Sequence, residues 1–114
     1  MEANLPSVEF HFDDVHVPRV VFERIRRRVD KWLKGHTDIT GASIAVRSES
    51  GSNTAHTFKA RVVLYHRPEN IAATASRAQS GEAVLAAMDA AERQLRETRD
   101  MLRERWKRPG VGAE

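Results

Sequence analysis

Residues 8–34 read VEFHFDDVHVPRVVFERIRRRVDKWLK, and the change of period inside this stretch decides the fold. Val8, Phe10 and Phe12 alternate with Glu9 and His11, the two-residue period of a half-buried strand. Beyond Val17-Pro18 the period lengthens: Val21, Phe22, Ile25, Val29, Trp32 and Leu33 fall within about a third of the helical wheel, an amphipathic helix facing a core. Pro18 suits the first helical turn, where its missing N–H is not needed. Gly35 is a fitting stop, with Lys31 and Lys34 near the carbonyl end. The carboxylates of Asp13 and Asp14 are expected as caps or dipole partners of this helix.

Working outward, Ile39 to Glu49 reads as a second strand, with Ala42, Ile44 and Val46 on one face. The polar run 48–53 is a hairpin loop, and Phe58, Ala60, Val62 and Leu64 mark a third strand. A turn at Arg67-Pro68-Glu69-Asn70 leads to a weaker strand through Ile71, Ala73 and Ala75. Gln79-Ser80-Gly81 interrupts the pattern. Val84, Met88, Ala91, Leu95, Leu102 and Trp106 then recur at helical spacing, and this helix ends before Pro109-Gly110.

The order β-α-β-β-β-α predicts an α+β two-layer sandwich. Strands one and two, joined through a helix, run parallel, and the later pairs, joined by short turns, run antiparallel. One face of each strand is apolar, so both helices cover the same face of a four-stranded mixed sheet. Ile25, Met88 and Leu95 belong to its core. At 114 residues one domain is expected, over 8–108, with a flexible lead-in at 1–7 and a short tail at 109–114.

Composition narrows the function. The chain has no Cys, which excludes disulfide scaffolds, thiolate metal sites and thiol catalysis. No apolar run nears the roughly 18 residues of a membrane span, and the start lacks a signal peptide's features, so a cytoplasmic protein with no membrane partner is expected. His11, His16, His36, His56 and His66 form no metal-ligand pattern and read as surface or loop residues. There is no phosphate-binding glycine loop, nucleophile elbow or catalytic triad, and neither cofactor nor small-molecule substrate is indicated. The sequence reads as a non-enzyme.

Charge is the sharper signal. Nineteen Lys and Arg face 16 Asp and Glu, for a net charge of +3, yet residues 19–34 alone carry seven basic side chains against two acidic. Arg24, Arg27, Arg28, Lys31 and Lys34 lie on one arc of the first helix, opposite its apolar stripe. Cations at successive turns, about 5–6 Å apart, roughly match phosphates along a nucleic-acid strand. On the second helix Arg93, Arg96, Arg99, Arg103 and Lys107 share a side, interspersed with Asp89, Glu92, Asp100 and Glu104, and the two rows are expected to flank a groove. Arg47, Lys59 and Arg61 fall on the open sheet face or its rim, where an ordinary polar surface accounts for them.

The run Val8 to Val17, the basic helix closing in Lys34-Gly35-His36, the strand Lys59-Ala60-Arg61-Val62-Val63-Leu64 and the helix segment Ala86 to Leu95 together resemble the ribosome hibernation promoting factor family, also called ribosome-associated inhibitors. The resemblance spans about residues 8–105. It implies the same fold, akin to a double-stranded RNA-binding domain, in a bacterial stress protein that binds the mRNA and tRNA channel of the small ribosomal subunit and silences idle ribosomes. By position it assigns rRNA contacts to Arg24, Arg27, Arg28 and Lys31, and to Arg93, Arg96, Arg99 and Arg103. With only six residues after Arg108, pairing of two ribosomes is not expected of this chain. Two other readings stand beside it, a general double-stranded RNA-binding module and a protein-interaction adaptor. An RNA-recognition motif is disfavoured because the outer sheet face offers only Tyr65 for stacking.

Overall fold

A computed structural model describes residues 7–35, 38–49, 57–67 and 69–107, the side chains of residues 105–107 excepted. The elements are β1 (Ser7–Asp13), α1 (Arg19–Gly35), β2 (Ile39–Glu49), β3 (Thr57–His66), β4 (Ile71–Arg77) and α2 (Ser80–Lys107). They build the four-stranded mixed sheet expected, in the order β1-β2-β3-β4, with both helices on one face. β1 pairs parallel with β2, and β2, β3 and β4 pair antiparallel. The expected lead-in up to residue 6, most of the hairpin loop, His36, His56 and the tail lie outside the described residues.

Register follows from which face is apolar. Phe10 pairs with Ile44, Ile44 with Val62 and Val62 with Ala73, so the core side chains form rows across the strands. A shift of one residue would turn every row to solvent. Ile39 breaks the parity of Ala42, Ile44 and Val46, and yet is buried. The reason is an irregularity in the β2–β3 ladder between Ile39 and Gly41, which carries both Ile39 and Ala42 to the core side.

Gly41 is needed there. A Cβ at this position would come within 2.6 Å of the Ser7 carbonyl oxygen and 3.2 Å of the Tyr65 ring. Gly41→Ala should therefore cost on the order of 1–3 kcal/mol, the usual penalty of overpacking, with the loss read in urea melts. Amide exchange should quicken most at the start of β1, because the clashing carbonyl belongs to its first residue.

From α1, Ile25, Val29 and Trp32 are buried, and Phe22 packs edge-on to Phe10 and Phe12 at the β1 margin. From α2, Ala83, Val84, Ala87, Met88, Ala91 and Leu95 are buried, its small residues letting the helix lie close to the sheet. Gly81 falls inside its first turn, where a Cβ would meet Val21 at 2.7 Å, so the interruption in the sequence pattern is a helix–helix contact. The expected helical cap at Asp13-Asp14 is not what forms. Asp13 ends β1, Asp14 takes a positive φ of 53°, and the Pro18 carbonyl accepts the first helical hydrogen bond, from Phe22 N–H.

Candidate nucleic-acid interface

The two helices run side by side in the same direction. Val21 meets Gly81, Arg28 reaches Asp89 and Glu92, and beyond the end of α1 Asp38 reaches Arg99. The seam between them is built from charge. Arg28 donates to Asp89 and, at 3.0 Å, to Glu92, while Trp32 Nε1 donates to the other oxygen of Glu92 at 2.7 Å. The Arg28 guanidinium also lies 6.0 Å from the centre of the Trp32 ring. Partial burial alone would push the Glu92 carboxyl up, but the hydrogen bonds from Trp32 and Arg28 and the nearby Arg28 and Arg96 charges hold it below its usual range. Burial works against the Arg28 cation too, and its bonds to Asp89 and Glu92 outweigh that.

The sequence places Arg28 in the phosphate-facing row; the structure turns it one step further round the helix, into the seam. Arg24, Arg27, Lys31 and Lys34 remain exposed along α1, and among the described residues none has a carboxylate within ion-pairing distance. Arg27, Lys31 and Lys34 line one shallow groove, with Asp30 at its side. On α2, Arg93 and Arg96 are exposed, and Arg103 is exposed beside Asp100 at 3.8 Å. The side chain of Lys107 lies outside the described residues. The rows therefore flank a seam that Asp89 and Glu92 occupy, and each row faces outward.

Arg99 has a structural partner. Its Nη2 donates to Asp38 Oδ1 at 2.7 Å, and Asp38 Oδ2 lies 2.9 Å from His66 Nε2. His66, read from sequence as a surface or loop residue, is buried at the end of β3, with its backbone N–H donating to Asn70 Oδ1. The parity of Ala60, Val62 and Leu64 continues to position 66 and carries the signal. Burial pushes the Asp38 carboxyl up, and the hydrogen bonds from Arg99 and His66, with the Arg99 charge, more than reverse this. This cluster ties the start of β2, the end of β3 and the middle of α2 together.

These two carboxylates make stability pH-dependent. Each is held lower in the folded chain than in the unfolded one, so its contribution is complete above the ordinary carboxylate range and fades as the pH falls through the depressed folded values. Urea midpoints at neutral pH and below pH 4 should show this loss, and Glu92→Gln should flatten that slope. Glu92→Ala at neutral pH should cost about 1–3 kcal/mol, because Trp32 Nε1 and Arg28 lose their acceptor.

Two helices on one face of a four-stranded mixed sheet, with cations exposed along both, define a small α+β two-layer domain. No protein-family model and no curated protein sequence matches the chain. Among solved structures it is similar to a ribosomal subunit interface protein from Coxiella burnetii, with a TM-score of 0.63 and 13% identity, over 82% of this chain and 98% of that one. At that identity the likeness is one of fold.

Among the described residues no helix is long and apolar enough to cross a membrane, and no group of His, Asp and Glu is arranged to hold a metal ion.

Proposed function

We propose that the chain is a ribosome-associated translation inhibitor that binds rRNA in the mRNA and tRNA channel of the small subunit and holds idle ribosomes inactive. The observation that carries this reading is the unpaired row Arg24, Arg27, Lys31 and Lys34. Four exposed cations on one helix, without carboxylate partners among the described residues, repel one another until a polyanion neutralises them. Arg93, Arg96 and Arg103 add a second row on the neighbouring helix. Arg28 and Arg99 act in this reading by fixing α2 against α1 and the sheet, and so by setting the separation of the rows.

The fold-level likeness to a ribosomal subunit interface protein supports the same partner. The role is one of binding rather than catalysis, in the cytoplasm, where ribosomes are. Sedimentation with purified ribosomes at two salt concentrations tests it, paired with footprinting on ribosomes and on free RNA duplexes. Protection confined to the small subunit's decoding region supports the proposal. Equal protection of any duplex would make the chain a general RNA-binding module, and binding indifferent to nuclease and salt would make it a protein adaptor.

A further inference from the structure

The sheet has a second face, and its charges are arranged unlike an ordinary polar surface. On the side away from the helices, Arg47 of β2 stands directly opposite Lys59 of β3, and Arg61 follows two residues along β3. Directly opposed like charges in an antiparallel pair are destabilising, with Cβ atoms only about 4.5–5.5 Å apart. Intramolecular compensation is slight. Arg47 has Glu49 at 3.7 Å, beyond hydrogen-bond reach, and among the described residues neither Lys59 nor Arg61 has a carboxylate within ion-pairing distance.

Small residues flank the cations. Arg61 lies between Ala45 on β2 and Thr74 on β4, and Lys59 is paired with Ser76. The result is an open trough of about 680 Å³ across the sheet, with Arg47, Lys59, Arg61 and His11 at its walls and Asp13 at the β1 end. The other acidic residue of β1 on this face, Glu9, lies 3.3 Å from His11. On this face the carboxylates of Glu9 and Asp13 lie on β1 and that of Glu49 at the end of β2, while the cations lie on β2 and β3.

We infer that this trough is a second binding site for an RNA phosphate backbone, on the face opposite the helix rows, so that the protein engages two RNA segments at once. Shape and chemistry choose the ligand. The trough is open, which fits a strand lying across it rather than an enclosed small molecule. Of the two rings in its lining, Phe12 packs against the core side of the sheet and only the His11 imidazole reaches the open face, while Tyr65 is paired at the Gly41 end, so the trough has no platform for stacking successive bases. Backbone phosphates are what its cations can hold, without sequence preference. The inference deepens the RNA-binding reading above and rests on it.

The test uses the full chain and a 12-base-pair RNA duplex, with stoichiometry from native mass spectrometry and residue-level mapping from amide NMR shifts. The wild-type protein should bind two duplexes, with shifts on α1 and on β2 and β3. Lys59→Glu with Arg61→Glu should bind one, keep the α1 shifts and lower the salt slope by about two units. Arg27→Glu with Lys31→Glu should also bind one, keeping the sheet shifts. The pair Lys59→Ala and Arg61→Ala, which introduces no new charge, repeats the measurement should the reversal disturb folding.

One duplex on the wild type, with no sheet shifts and no change in the sheet variant, overturns the second site and leaves the helix-face proposal standing. Absence of any RNA binding overturns both. Inorganic phosphate at the same phosphate concentration is the companion arm, and sheet shifts equal to those with duplex would overturn the claim that the trough takes a polymer.

Discussion

Arg27→Glu combined with Lys31→Glu should abolish co-sedimentation with ribosomes while leaving the fold intact. Both side chains are exposed on α1, on the arc opposite Ile25, Val29 and Trp32, so their removal takes nothing from the core. Each lost phosphate contact lowers the salt slope by about one unit and weakens binding further at higher salt. Reversal goes beyond loss, since two carboxylates would then face the phosphates, and an affinity drop of more than about a hundredfold is expected near physiological salt. The measurement is ribosome pelleting at two salt concentrations, with a thermal melt of the variant beside it. A variant that melts like the wild type and still pellets would show that the α1 row is not the contact.

The largest stability loss is expected at Leu95. It is 3% exposed and sits on the last turn of α2 that contributes a buried side chain, the residues from 96 to 104 being half-buried or exposed. Leu95→Ala should cost about 2–5 kcal/mol in denaturant melts, through lost burial and the cavity left behind. Neighbouring Arg99 is anchored to Asp38, which limits how far the helix can settle into the gap and favours the upper half of that range. A loss under about 1 kcal/mol would mean that the helix repacks freely. Well below its melting temperature the variant should retain ribosome binding, which separates a core residue from a contact residue.

The elements could be read from the chain because their periods are clean. Val8, Phe10 and Phe12 give a two-residue repeat and Val21 to Leu33 a helical one, and β2 occupies the residues expected of it. Site residues were less legible, for a physical reason. A helical wheel shows which side chains share an arc and cannot show what lies across from them. Arg28 shares the cationic arc of α1, yet its position beside Trp32 faces Asp89 and Glu92, which are over 60 residues away in sequence. Arg99 likewise finds Asp38 only after the sheet has formed. His66 is the opposite case, since the inward parity of Ala60, Val62 and Leu64 runs on to it, and a reading of the histidines by metal-ligand spacing passes over that signal.

The parallel course of α1 and α2 has an electrical consequence. Each helix carries roughly half a positive charge at its amide end and half a negative one at its carbonyl end. In an antiparallel pair these fields cancel at a distance; in this pair they add. The amide ends lie together, joined where Ser80 Oγ donates to the His16 carbonyl oxygen, and form one positive pole. Lys34, in the last turn of α1, sits over the opposite pole, so part of its charge is already balanced by backbone carbonyls. The reach of each pole is short, about one helical turn, so it acts on groups placed at its own end and not on the molecule as a whole. The full charges of Arg27, Lys31, Lys34, Arg96 and Arg103 stand toward the carbonyl ends and outweigh these half-charges, so they, and not the helix dipoles, set the way a polyanion would meet the molecule.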